Sequence, residues 1–159
     1  MINNDEIILV PSCRIFLTEH LYACMLLLVG VCMVGLENPD LKLAGVVAGL
    51  AAGAHLLWKI CYYTTVKWVI SDTQIKACSG VFTRSVNYIE LYRINDFAEE
   101  QGLMQQILGI KDVYIMSTDR SHPVLCIYGI PASLDIIAAV KPLVKTCKKE
   151  NQIYEIANH

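Results

Sequence analysis

Residues 15–36 read IFLTEHLYACMLLLVGVCMVGL, and residues 41–63 read LKLAGVVAGLAAGAHLLWKICYY. Only Glu37, Asn38, Pro39 and Asp40 separate them. Crossing a bilayer takes about 20 predominantly apolar residues at about 1.5 Å of rise each. Both stretches reach that length, which predicts two transmembrane helices joined by a tight turn. The chain from Thr64 onward has ordinary composition. Four segments follow: an N-terminal segment, 1–14; a transmembrane hairpin, 15–63; a soluble domain, 64–151; and a tail, 152–159.

The totals agree with this division. The chain has 159 residues, 55% of them hydrophobic. The hairpin accounts for the excess, and the roughly 90 residues beyond it suffice for one small core. A formal net charge of −2 gives no electrostatic reason to expect a nucleic-acid partner. Met1 to Val10 carries Asp5 and Glu6 and no basic side chain, so it does not read as a secretory leader. The seven cysteines are odd in number and include no C-x-x-C pair, and the four histidines are scattered. The expectation is free thiols in a reducing compartment, with no metal site and no cofactor. The hairpin turn is acidic, with Lys42 at its margin, whereas Arg14, Lys59, Lys67 and Lys76 lie on the other side. The positive-inside rule then places both termini in the cytoplasm.

Within the second stretch, Gly45, Gly49 and Gly53 recur every four residues and share one helix face. Small residues let helix backbones approach closely where lipid gives no hydrophobic drive for association. This face is expected to pack against the first helix or against another copy. Four ionisable residues lie toward the cytoplasmic ends: Glu19 and His20 on the first stretch, His55 and Lys59 on the second. A charge at mid-bilayer costs about 2.5–3.5 kcal/mol on insertion scales. Glu19 is therefore expected to pair with Lys59 or His55, or each group reaches the interface alone; a proton relay is the sharper alternative.

After Val66 the pattern becomes short strands. Val66–Ile70, Gln74–Cys78, Val81–Asn87, Tyr88–Leu91, Arg93–Phe97, Val113–Met116 and Val124–Tyr128 are rich in β-branched and aromatic residues or alternate in polarity. Gly102 to Leu108 reads as a helical turn or two, ended by Gly109. A helix begins at Ser133, with Asp135 in its first turn and Pro142 expected to kink or interrupt it. Lys141, Lys145, Lys148 and Lys149 give that helix a basic side, a candidate contact for anionic lipid.

Several segments carry a family likeness. They are Ile7-Ile8-Leu9-Val10-Pro11-Ser12, Gly80-Val81, Ile89 to Phe97 with its Leu-x-Arg-Ile-x-Asp core, Gln101 to Ile110 with its Gln-x-Leu-Gly-Ile ending, and Gly129-Ile130-Pro131. With the order of hairpin and domain, they make the chain resemble the bacterial pleckstrin-homology-like domain of membrane-flanked proteins. The resemblance implies an α+β membrane protein: a two-helix transmembrane hairpin, then a small antiparallel β sandwich or barrel closed by a C-terminal helix. It implies residence in the bacterial inner membrane and no catalytic residues, with suggested roles in envelope maintenance and stress. In eukaryotic relatives of the fold, basic residues around the first strand hairpin bind phosphoinositides. Here Ser71-Asp72-Thr73 occupies the turn read as that hairpin, flanked only by Lys67 and Lys76, which weighs against the activity.

A search for catalytic patterns finds no phosphate loop, no HExxH and no GxSxG. Asp119, Arg120, Ser121 and His122 read as a polar turn, and Glu90, Asp96, Glu99 and Glu100 as a solvated acidic edge. The expectation is a non-enzymatic membrane protein whose cytoplasmic domain binds a protein partner or further copies of itself. The alternatives are an anionic-lipid-binding module and, less favoured, a small oligomeric transporter or pore.

Overall fold

Trp68 and Ile70 are buried on one face of a strand while Lys67 and Val69 are half-buried on the other, the period-two alternation of a sheet with one core face. The same logic runs through the rest of the domain. The computed structural model describes residues 2–3, 6–119 and 122–151; Arg120, Ser121 and the tail expected at 152–159 lie outside these. In chain order the elements are β1 (Ile2–Asn3), β2 (Glu6–Leu9), α1 (Ile15–Glu19), α2 (Leu21–Val34), α3 (Pro39–Thr65), β3 (Lys67–Ile70), β4 (Gln74–Ser79) and β5 (Ser85–Glu90). A short 3-10 turn, Leu91–Arg93, leads to β6 (Ile94–Glu100), α4 (Leu103–Leu108), β7 (Ile110–Ser117), β8 (Val124–Pro131) and α5 (Ile136–Glu150).

Strands β1 to β5 form one antiparallel sheet in sequence order, and β6 to β8 form a second. The two sheets face a core that includes Ile70, Ile75, Leu91, Ile115 and Ile127. They are separate sheets rather than a closed barrel. Helix α5 contributes Ile136, Val140, Val144 and Cys147 to that core. Asp135, not Ser133, caps it: its carboxylate accepts the Ala138 N–H at 2.9 Å. Pro142 does not interrupt α5, which is one helix through Glu150. The loss of one backbone donor is offset by burial of the flanking Val140 and Val144. Val81 to Arg84 is turn rather than strand, so the two strands expected between Val81 and Leu91 are a single one.

The largest departure from the sequence reading concerns the N-terminus. Residues 1–14 are not merely a segment ahead of the hairpin. Ile7, Ile8 and Leu9 pair with Ile70, Val69 and Trp68, and Leu9 is buried in the domain core. The helices are therefore the connection between two neighbouring antiparallel strands. It follows that Ser71–Thr73 joins the second and third long strands of the sheet, not the first two.

Helix α3 begins with Pro39 at its first position and Asn38 as cap, whose side chain accepts the Asp40 N–H at 2.9 Å. It is long and apolar enough to cross a membrane, and only 11% of its most apolar window is buried. The first stretch is not one helix. It breaks at His20 (φ −122°, ψ 21°) into α1 and the 14-residue α2, which alone measures about 21 Å. Leu28, Val31, Val47, Leu50 and Leu57 are among the many apolar side chains exposed on the outer faces.

Helices α2 and α3 pack on small residues. A Cβ at Gly45 would lie 2.7 Å from the Gly30 carbonyl oxygen, and one at Gly30 would lie 2.9 Å from the Gly45 oxygen. One heptad away, Ala23 and Ala52 are also buried. Gly45 thus serves a contact within the chain, one of the two contacts left open for the glycine face. Gly53 stands beside Leu27 at 3.8 Å, but a Cβ at Gly49 would meet nothing within 4 Å.

This contrast makes a test. Glycine to alanine in a helix interior gains about 1 kcal/mol where the methyl fits, whereas overpacking costs about 1–3 kcal/mol. Gly45→Ala and Gly30→Ala are expected to lower the melting temperature in mild detergent, and Gly49→Ala to hold or raise it. Shifts of the same sign at Gly45 and Gly49 would contradict this packing.

Candidate functional site at the root of the hairpin

Two segments pass each other where the hairpin meets the domain. Val10 to Phe16 enters and Ile60 to Val66 leaves, and between them is a cleft of about 580 Å³. Its walls are mostly apolar, with Val10, Pro11, Ile15, Phe16, Ile60 and Tyr63 prominent and Ser12 and Thr64 supplying polar groups. Pro11 follows β2 closely and has no N–H to extend a strand ladder. The Ser12 N–H then donates to the Gly129 carbonyl at 2.8 Å. Gly129 has φ +64°, and a Cβ there would lie 2.6 Å from Ile15. Both the backbone angle and the space demand glycine, so Gly129 seats the start of α1 on β8.

His20 occupies the break between α1 and α2 and is 5% exposed. Its Nε2 is 3.2 Å from the Tyr63 hydroxyl, and its Nδ1 is buried without a partner. The His55 ring lies 5.4 Å away, with its own Nε2 3.1 Å from the Tyr22 hydroxyl. Phe16 packs edge-on against His20 at 5.5 Å. Tyr63 continues to Tyr128 at 6.1 Å, and Tyr128 to the core residue Trp68 at 5.0 Å. A continuous run of rings therefore joins the hairpin to the sheet.

The expected ion pair is not formed. Among the described residues no salt bridge joins Glu19 to His55 or Lys59. His55 instead meets Tyr22, and Lys59 lies over the Tyr62 ring at 5.9 Å. The physical reason is that Tyr22 and Tyr62 engage His55 and Lys59, while Glu19 ends α1 ahead of the break at His20.

The basic side of α5 runs away from the root of the hairpin. Cys147 donates to the Asp72 carbonyl at 2.9 Å. Asp72 is in the turn after β3, at the end of the sheet opposite the hairpin. Lys148 and Lys149 are therefore at the far end, and Lys141 and Lys145 lie along the way from the root. The His122 loop is also at the far end, where Ser117 donates to the His122 carbonyl at 2.9 Å.

The titratable groups outside the hairpin read as structural. Burial, reinforced by Asp112, pushes the Cys126 thiol up to about 11. Its cross-strand neighbour Tyr114 is pushed up to about 12, first by Cys126 and then by burial. Burial also raises Cys147 and Tyr128. These shifts run opposite to those of an activated nucleophile. Arg93 is raised by its hydrogen bond to the Tyr92 hydroxyl and by Glu90. No group of three or more His, Cys, Asp or Glu is arranged to hold a metal among the described residues.

The chain belongs to the bacterial PH domain family, whose model matches residues 16–142. No curated protein and no solved structure matches it.

A thiol assay checks the site chemistry. Alkylation near neutral pH, followed by mass spectrometry, should modify exposed Cys13 at the root at least roughly tenfold faster than Cys126, whose thiolate is scarce. Equal rates would mean that Cys126 is a reactive thiol after all.

Proposed function

We propose that this bacterial PH domain protein is a non-enzymatic membrane-anchored interaction module. The helical hairpin crosses the cytoplasmic membrane twice and holds the domain at its cytoplasmic face, where it engages a protein partner or another copy. The observation that carries the reading is the unburied apolar surface of α2 and α3. Core helices of a soluble protein would be covered, but α3 has only 11% of its most apolar window buried. No Asp, Glu, Lys or Arg occurs from Leu21 to Leu36 or from Leu43 to Trp58. Helix α2 is shorter than a typical hydrocarbon core of about 30 Å. With α1 and the half-turn at His20, the entering chain reaches the same level as the leaving one.

A partner surface is available on the outer edge of β5. This strand pairs with β4 and with no other described strand, and it exposes Val86 and Tyr88. An open edge accepts an added strand through main-chain hydrogen bonds, with alternate side chains setting specificity. Tethering at a membrane raises the local concentration, so a modest edge contact suffices.

A second reading, lipid recognition, is favoured by the apolar cleft between Pro11 and Tyr63 rather than by the α5 lysines. A pore built on the glycines has less support, because α2 occupies Gly45.

Two experiments test the proposal. The full chain should resist alkaline extraction from membranes, and a tag in the 37–40 turn should be accessible from the side opposite the domain. Recovery in the soluble fraction would end the anchor reading. Protein purified in mild detergent should carry a stoichiometric companion or a second copy, lost on Tyr88→Glu with Val86→Glu. A monomer with nothing bound would remove the partner reading.

A further inference from the structure

The polarity of α4 is inverted. Its buried residue is Gln105, whose Nε2 donates to the Asp112 carboxylate at 3.0 Å and whose Oε1 accepts the Gly102 N–H at 2.9 Å. Exposed on α4, with Gln106, are three large apolar residues: Leu103 is 76% exposed, Ile107 73% and Met104 44%. Positions i, i+1 and i+4 share one helix face. A short helix held to its own domain by a polar anchor, with its apolar face turned out, has the composition of a contact with something apolar.

The position of α4 says what that is. It joins β6 to β7 at the hairpin end of the second sheet. Its last carbonyl, on Leu108, accepts from Arg14 Nη1 at 2.9 Å, and Arg14 immediately precedes α1. On the first sheet, the β4–β5 turn reaches the same end, where the Gly80 N–H donates to the Thr65 hydroxyl at 3.2 Å. Its tip carries Phe82, which is 87% exposed and lies 5.3 Å from the Trp58 ring on α3. Phe82, Leu103 and Ile107 are the three most exposed large apolar side chains among the described residues. All three are at the end from which the hairpin leaves, one on the first sheet and two beside the second.

We infer that α4 and the Phe82 turn are feet by which the domain rests in the membrane interface, with Leu103, Met104, Ile107 and Phe82 immersed at the boundary of headgroups and acyl chains. The occupant of this surface is lipid, because α4 is tied to the base of the hairpin by the Arg14–Leu108 bond and Phe82 packs on Trp58, part of the exposed apolar surface of α3. Tryptophan at that level suits the interface, and short apolar faces enter it by about 5–10 Å. The attraction is apolar rather than electrostatic. Helix α4 carries no charged residue, and Lys111 at the start of β7 is held by Glu99 at 2.7 Å. Docking at two feet fixes the tilt of the domain as well as its tether. It leaves the β5 edge and the far end of α5 toward the cytoplasm.

The inference rests on the membrane-hairpin reading, and the test separates the two. A photoreactive diazirine amino acid is placed singly at position 107, at position 50 on α3 and at position 124 on β8, in the full chain. Leu50 and Val124 are exposed and apolar like Ile107, and Val124 lies at the far end. The proteins are irradiated in native membranes and in phosphatidylethanolamine–phosphatidylglycerol vesicles, and adducts are identified by mass. Lipid adducts are expected at 50 and 107, with the yield at 107 at least roughly tenfold above that at 124, as immersion requires. Lipid at 50 but not at 107 would overturn the feet and leave the hairpin standing. Adducts at 107 with a second copy or another protein would overturn them too, by naming a different occupant. Absence of lipid at 50 would bring down the membrane reading and this inference together.

Discussion

The pairing of Ile7, Ile8 and Leu9 with Ile70, Val69 and Trp68 governs the arrangement of the rest. Because the strands are antiparallel neighbours, the chain must leave the sheet and return to it at one place. Everything from Val10 to Val66 is a loop in the topological sense, though it is built of helices. Both its ends are therefore held side by side, and the helices must lie against each other along their length. The close approach at Gly30 and Gly45 meets that demand. A side chain at either position would push apart two helices whose bases cannot separate without pulling Leu9 from the core.

The root of the hairpin is stiffened from both sides. Gly129 receives Ile15, the Leu108 carbonyl receives Arg14, and the rings of Phe16, His20, Tyr63, Tyr128 and Trp68 run from helix to core. Ile15 meets β8 at Gly129, Arg14 meets α4 at Leu108, and Tyr63 passes the run of rings from the hairpin to Tyr128 on β8. The domain is thus not joined to the hairpin by a flexible linker, and its orientation to the helices is a property of the fold. His20 is the least satisfied point in this junction, with one ring nitrogen buried and unpartnered.

Much of this was legible in the sequence, and the exceptions share a cause. The two apolar stretches, most of the strands, the Gly109 stop of α4 and the membership of the bacterial PH domain family could be read from local patterns. Strand β2 could not, because four residues reveal little without their partner, and that partner lies beyond the hairpin. The break at His20 escaped because histidine is not a helix breaker, and its long-range partner there, Tyr63, lies on α3. Gly45 stood out in the sequence by its spacing from Gly49 and Gly53, but its counterpart Gly30 was hidden among larger neighbours. The spacing of seven that links Ala23 to Gly30 and Gly45 to Ala52 was the available signal. In α4, the sequence LMQQIL invites burial of its leucines. Only the bond from Gln105 to Asp112 shows that the helix sits the other way round.

The placement of the helices inside the sheet also sets an order of assembly. Strand β2 emerges ahead of the hairpin during synthesis, yet its partner β3 is made only after both helices. Until then Leu9 has no core to enter, and closing the distance between residues 9 and 68 by an unstructured chain would carry a large entropic cost. Packing α2 against α3 removes that cost by bringing the two ends together beforehand. The sheet is consequently a proofreader of the hairpin's own folding: β2 finds its place only in a chain whose helices have already paired and returned.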